Sequence, residues 1–199
     1  MKNFNINQVI KRILDILISF TALLFLSPLF LLLAFLVYSS TPGGVFYIQT
    51  RVGKKGENYK IYKFRSMYKD SEKNTGPIWA SNEDKRITPL GRIMRKFHLD
   101  EIPQFFNVLI GDMSLVGPRP ERPEIVANIL QEIPDYLLRT KVKPGITGWA
   151  QVHGTYDKNM LDVSVKLKKD CYYIENFSIG FDIKILFLTL MKIIKGQGV

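Results

Sequence analysis

The sequence predicts an α+β protein: a membrane-embedded helical segment over residues 1–40, then a cytoplasmic domain over 41–199 of short helices and a β-hairpin. Three observations carry that reading. No charged residue occurs from Ile16 to Thr50, although the whole chain of 199 residues has a formal net charge of +10. Two short runs rich in β-branched and aromatic residues flank a Gly-containing turn near position 55. Beyond position 85, the spacing of apolar residues is mostly helical and is punctuated by Pro and Gly.

The first element is "ILDILISFTALLFLSPLFLLLAFLVY", 13–38. Its uncharged part, 16–38, is about 34 Å long at ~1.5 Å per residue, enough to cross a hydrocarbon core of roughly 30 Å. The apolar run is too long for a signal peptide and lacks a small-residue cleavage site close behind it. Ser27-Pro28 interrupts it, and Pro removes a backbone donor and crowds the preceding turn. A kinked single-pass helix and a hairpin that turns back are both compatible with that break. Lys2, Lys11 and Arg12 precede the segment and Arg51, Lys54 and Lys55 follow it; positive charge on both flanks favours keeping both ends cytoplasmic.

Next, "VFYIQT" and "YKIYKF" read as strands around "GKKGEN". Positions 69–85 are polar and read as a surface loop. "TPLGRIMRKF", 88–97, is a short basic helix with Thr88 as N-cap and Pro89 at its first position. Residues 100–110 form another helix, closed by Gly111. "SLVGPRPERPE" is Pro-rich and reads as a rigid extended loop, and "KPGITGWAQV" as a Gly-containing loop. "EIVANILQEIPDYLLRTK" is helical with a break near Pro134, and "LDVSVKLKKDCYYIENF" is helical. The last helix, 181–195, is amphipathic; Lys184, Lys192 and Lys195 fall within about 80° of one another. It suits either docking on a membrane surface or packing on the core.

Composition narrows the chemistry. A single cysteine, Cys171, excludes an intrachain disulfide, and two histidines make a His/Cys zinc site a poor fit. Cys171 has no activating base nearby in sequence and reads as a spectator thiol. His98 reads as structural. No Walker loop, G-x-G-x-x-G or G-x-S-x-G motif is present. The 28 Lys and Arg against 18 Asp and Glu point to an anionic partner, which charge alone does not identify.

"KFHLDEIPQFFNVL", 96–109, sets Asp100 beside Glu101. Alone, such a pair reads as an N-cap and a dipole-matching acid, each contributing about 1 kcal/mol or less. Two neighbours raise a second reading: the basic helix with Arg92, Arg95 and Lys96, and the Pro-bracketed Arg119 of "GPRPER". Arg suits bidentate phosphate recognition. A hard cation such as Mg²⁺, held by carboxylates and substrate phosphate, suits such a site.

Four stretches in this order, "KRILDI" leading into the Ser27-Pro28 segment, "RVGKKGENYKIYKFRSM", "LDEIPQFFNVLIGDMSLVGPRPE" and "KPGITGWAQVHG", resemble the bacterial sugar transferases, the monotopic phosphoglycosyl transferases. The resemblance covers nearly the whole chain. It implies transfer of a phosphosugar from a UDP-sugar to undecaprenyl (polyprenyl) phosphate at the cytoplasmic face of the bacterial inner membrane, with release of UMP. It further implies a re-entrant membrane hairpin turned at Ser27-Pro28, interfacial amphipathic helices, Asp100 as nucleophile and Glu101 as its Mg²⁺-binding partner. By position within the motifs, Lys63, Arg95 and Arg119 are candidate phosphate contacts, Asp112 a supporting residue, and Gly145, Thr147 and Gly148 candidates for shaping the nucleotide or sugar pocket. The extra transmembrane helices and further domain of larger relatives are not expected, and nucleic acid is not an expected partner. Rival readings are the same reaction through a ternary complex with Asp100 as base, and a non-catalytic basic membrane scaffold.

Overall fold

A computed structural model describes residues 6–71, 84–154 and 159–195; most of the expected 69–85 loop lies outside the described residues. Helix α1 (Ile6–Ser40) is long and apolar enough to cross a membrane and is largely exposed along its length. It runs through Pro28, so any bend at the expected break leaves no gap in the helix. The physical reason lies one residue earlier. The Ser27 hydroxyl donates to the Leu24 carbonyl at 2.8 Å, the acceptor that Pro28, with no N–H, leaves unused.

Polar residues tie the first half of α1 to the following domain. Arg12 donates to the carbonyls of Val108 (2.6 Å) and Leu109 (2.8 Å), capping helix α3 (Gln104–Ile110) where its carbonyls lack intrahelical donors. Buried Asp15 accepts from Ser114 Oγ (3.1 Å) and the Leu115 N–H (3.0 Å). Thus Arg12, read above as a topology signal, also serves as a clamp. The second half of α1 packs through Leu33 and Val37 against Phe64, Met94 and Ile102. Burying side chains of this kind contributes about 1.5–3 kcal/mol each.

The predicted hairpin is present. β1 (Phe46–Val52) pairs antiparallel with β2 (Asn58–Phe64), Phe46 opposite Phe64 and Val52 opposite Asn58. Helix α2 (Pro89–Lys96) begins at Thr88, whose hydroxyl accepts from the Gly91 N–H at 2.9 Å. Gly111 closes α3 at φ +102°, a conformation that favours glycine. The expected helix over 100–110 is divided, however. Leu99–Glu101 form a 3₁₀ turn and α3 starts only at Gln104.

A second small sheet replaces two expected loops. β3 (Ser114–Val116) runs parallel to β4 (Gly145–Thr147). Between them lie α4 (Pro123–Glu132) and a 3₁₀ segment, Pro134–Lys141, consistent with the expected break at Pro134. After β4 come α5 (Trp149–Val152), α6 (Met160–Glu175) and α7 (Ile179–Ile194). Helix α7 buries Asp182 and Ile185 and leaves Ile183, Phe187, Leu190 and Ile194 exposed in one row. Two of its lysines reach α5, as the core-packing alternative has it. Lys184 lies over the Trp149 ring and Lys192 donates to the Gln151 carbonyl, both on α5.

Candidate active site

Asp100 and Glu101 occupy the 3₁₀ turn that follows His98, which takes a left-handed conformation at φ +55°. That reversal turns both acids inward, where they are 6% and 7% exposed. Neither is a solvated helix cap, which corrects the simplest reading of the pair.

The turn is held from below by the polar side of α3. Asn107, wholly buried, donates from Nδ2 to the Lys60 carbonyl (2.7 Å) and accepts the Tyr62 N–H at Oδ1 (3.0 Å). It therefore satisfies backbone groups of β2 next to Lys63. The same register brings the Lys63 ammonium within 2.8 Å of Glu101 Oε1, and Arg119 donates to that oxygen at 2.7 Å.

Arg119 owes its position to a loop whose backbone is bonded residue by residue. Lys11 donates to the Val116 carbonyl, the Gly117 N–H to Thr147, the Gly145 N–H to Pro118, Arg139 to Arg119, and Arg51 to Pro120. Gly145 and Gly148 allow this closeness. A Cβ would lie 2.1 Å from the Gly117 nitrogen in the first case and 2.2 Å from the Gly117 carbonyl oxygen in the second.

The electrostatics separate the two acids. Burial, and then the neighbouring Glu101 carboxylate, push the Asp100 carboxyl above the usual range, with Lys63 and Arg95 opposing. Burial would also raise Glu101, but Arg119 and Lys63 outweigh it and hold that group well below the usual range. Glu101 is thus a firmly ionised anchor. Asp100 has no hydrogen-bond partner among the described residues. Its charged form is the less favoured one where it stands.

Both acids face a cavity of about 1110 Å³, large enough for a nucleotide-sized ligand. Lys63, Arg95 and Arg119 line it with them; Asp112, Gly145, Thr147 and Gly148 do not. The two glycines support the Arg119 loop, Thr147 bonds Thr189 at 2.7 Å, and Asp112 acts electrostatically on Tyr59 and Lys143. Sequence reasoning missed a second charged group on the cavity wall. Glu121 lies 3.5 Å from Arg51 and 3.2 Å from Lys166, and Arg122 donates to the Tyr47 hydroxyl. Both residues stand within the quoted "GPRPER" run, but nothing in it separated their roles from that of Arg119. Cys171 is half-buried, and burial raises its thiol, in keeping with a spectator.

Among the described residues no group of three or more His, Cys, Asp or Glu gathers as a metal cage. A pair of carboxylates, one without a hydrogen-bond partner among the described residues, fits a cation that takes its remaining ligands from water and phosphate.

An apolar N-terminal helix, long enough to cross a membrane, is thus clamped to a small α+β domain whose cavity sets an acidic pair among cationic side chains. The chain belongs to the bacterial sugar transferase family, whose family model matches residues 6–196. It is 47% identical over 189 residues to the UDP-N-acetylgalactosamine-undecaprenyl-phosphate N-acetylgalactosaminephosphotransferase of Aeromonas hydrophila, covering 95% of this chain and 44% of that one. It is 44% identical over 191 residues to the UDP-glucose:undecaprenyl-phosphate glucose-1-phosphate transferase of Escherichia coli (strain K12), covering 94% and 40%. With the exopolysaccharide production protein PSS of Rhizobium leguminosarum bv. phaseoli it shares 40% identity over 196 residues, 96% of this chain and 98% of the relative. The chain therefore spans less than half the length of the first two relatives and nearly all of the third.

Proposed function

We propose that the protein transfers a phosphosugar from a UDP-sugar to undecaprenyl phosphate, releasing UMP and starting the assembly of a bacterial glycan. The observation that carries this reading is Asp100, a carboxylate with no hydrogen-bond partner among the described residues, which lines a cationic cavity beside a Glu101 clamped by Lys63 and Arg119. The activities named for the relatives from Aeromonas hydrophila and Escherichia coli support it.

In the first step an Asp100 oxygen attacks the sugar-proximal phosphorus. An acyl-phosphate P–O bond forms, the bridging P–O bond breaks, and its electron pair leaves with UMP. In the second step an oxygen of the lipid phosphate attacks the same phosphorus. The P–O bond to Asp100 breaks, which restores the carboxylate and leaves a lipid-diphosphate-sugar. Lys63, Arg95 and Arg119 offset the charge that two approaching anions bring together. Asp100 and Glu101 would hold Mg²⁺, which would supply positive charge against the phosphates. Asp100 as a base in a ternary complex is the alternative. A donor labelled in its sugar-proximal phosphate, mixed with enzyme but no lipid, should release UMP once and leave label on the protein. Steady turnover with lipid but no trapped label would favour the ternary complex, and no UMP under either condition would end the proposal.

The domain over 41–199 is read as lying on the cytoplasmic face of the inner membrane, with α1 re-entrant and the exposed apolar row of α7 at the interface. Support comes from both halves of α1 reaching the same helix: Arg12 bonds the carbonyls of Val108 and Leu109, and the Phe30 ring lies 6.1 Å from that of Phe106. A cysteine at position 3, in a Cys171→Ser background, should react with an impermeant reagent only after the cytoplasmic side is opened. Labelling in intact cells would show that α1 crosses.

A further inference from the structure

We propose that Glu101 stands in for a donor phosphate. While the cavity is free, its carboxylate holds Lys63 and Arg119 together; the diphosphate of the UDP-sugar takes over both cations as Glu101 turns to the divalent cation. The inference rests on the transfer reaction proposed above and gives Glu101 a part in admitting the donor.

The carboxylate is used on one side only. Lys63 Nζ at 2.8 Å and Arg119 Nη2 at 2.7 Å both donate to Oε1, and Oε2 accepts no hydrogen bond among the described residues. Asp100, the adjacent residue, accepts none either, so oxygens of both acids are left for a hard cation. The two cations are in the opposite condition. Neither side chain bonds any other acceptor among the described residues, so Glu101 claims both. Ammonium and guanidinium groups bind carboxylate and phosphate oxygens alike. Glu101 and a donor phosphate are therefore alternative occupants of one place. That place is open to a ligand: Lys63 and Arg119 line the cavity, with 18% and 30% of their side chains exposed against 8% for Glu101.

An exchange requires cations that stay in place when Glu101 moves. Lys63 lies on β2, whose backbone Asn107 bonds at Lys60 and Tyr62. The Arg119 carbonyl is held by Arg139 and the Pro120 carbonyl by Arg51. None of these bonds involves Glu101. Glu101 itself ends a three-residue 3₁₀ turn, and the two cations are its side chain's hydrogen-bond partners. Two neighbouring, partly buried cations without an anion are costly, so Glu101 leaves only as a phosphate arrives. The stand-in thus keeps the free cavity stable and holds both donors where a phosphate oxygen will sit. Its cost is a weaker grip on the donor until Glu101 is drawn away.

Calorimetry on the full chain in lipid nanodiscs tests the exchange without turnover, with UDP as the probe. The wild type should bind UDP at least about tenfold more tightly with Mg²⁺ than without it. Glu101→Gln keeps the shape and removes the charge. Without Mg²⁺ it should bind UDP at least about tenfold more tightly than the wild type does, and it should gain less from Mg²⁺. Uridine, which carries no phosphate, should bind both proteins within about twofold of each other. Where the variant unfolds too readily for calorimetry, melting temperatures give the same comparison: UDP without Mg²⁺ should raise that of Glu101→Gln more than that of the wild type. Equal or weaker UDP binding by the variant, an undiminished gain from Mg²⁺, or an equal gain for uridine would overturn the exchange while leaving the transfer reaction standing. A wild type that binds no UDP even with Mg²⁺ would overturn the reaction itself, and the exchange with it.

Discussion

Replacing Asp100 by Asn is expected to lower UMP release at least about a thousandfold, or ~4 kcal/mol of transition-state stabilisation, while leaving the melting temperature unchanged or higher. The two halves of this result have one cause. The fold raises the Asp100 carboxyl above its ordinary range through burial and the adjacent Glu101, so the ionised form works against folding whenever the pH exceeds the unfolded value. Asn keeps the shape and removes the charge, and with it the repulsion between adjacent acids. An amide cannot form the acyl phosphate, so the gain in stability comes at the expense of the chemistry. Thermal melts and UMP assays on the same preparation check both halves. A variant that melts earlier and still turns over would mark Asp100 as structural.

Why this pair was visible in the sequence, and much of its setting was not, follows from the range of each interaction. The hairpin, the Thr88 cap and the Gly111 stop are decided within a few residues, and local chemistry announced each of them. The β3–β4 sheet is different. Each strand is three residues long, too short to show alternation, and the pairing joins segments about thirty residues apart. Pro and Gly dominate both stretches because the backbones approach closely, and that composition read as loop. Position within a motif likewise could not distinguish a residue facing the cavity from one behind it. Lys63, Arg95 and Arg119 reach the cavity, while Gly145, Thr147 and Gly148 hold up the loop that delivers Arg119. The polar arc of α3 gave no sign that Asn107 would be wholly buried, because its partners are backbone groups of β2. Arg139 was missed altogether. It sits in an ordinary helical stretch, and its value lies in partners 20 and 31 residues away in sequence.

Arg139 carries the second large effect. Its guanidinium, in a residue only 4% exposed, donates to Asp170 at 2.9 Å and to the Arg119 carbonyl at 2.8 Å, and also bonds the Tyr136 hydroxyl. Arg139→Met leaves the Asp170 carboxylate, 1% exposed, without its guanidinium, and should cost about 3–5 kcal/mol of stability. Adding Asp170→Leu removes the other half of the ion pair and should recover most of that loss, because an apolar pair of similar volume often matches a buried ion pair. Turnover should not recover with it. The Arg119 carbonyl still lacks its donor, and the side chain that grips Glu101 is aimed by that backbone, so kcat should stay about tenfold down even in the stable double variant. Urea unfolding and steady-state kinetics on the single and double variants separate the two roles. Full recovery of both quantities would reduce Arg139 to a packing residue. Recovery of stability alone means that the ion pair chiefly serves to aim Arg119, and that the fold accepts two buried charges in order to hold one catalytic loop still.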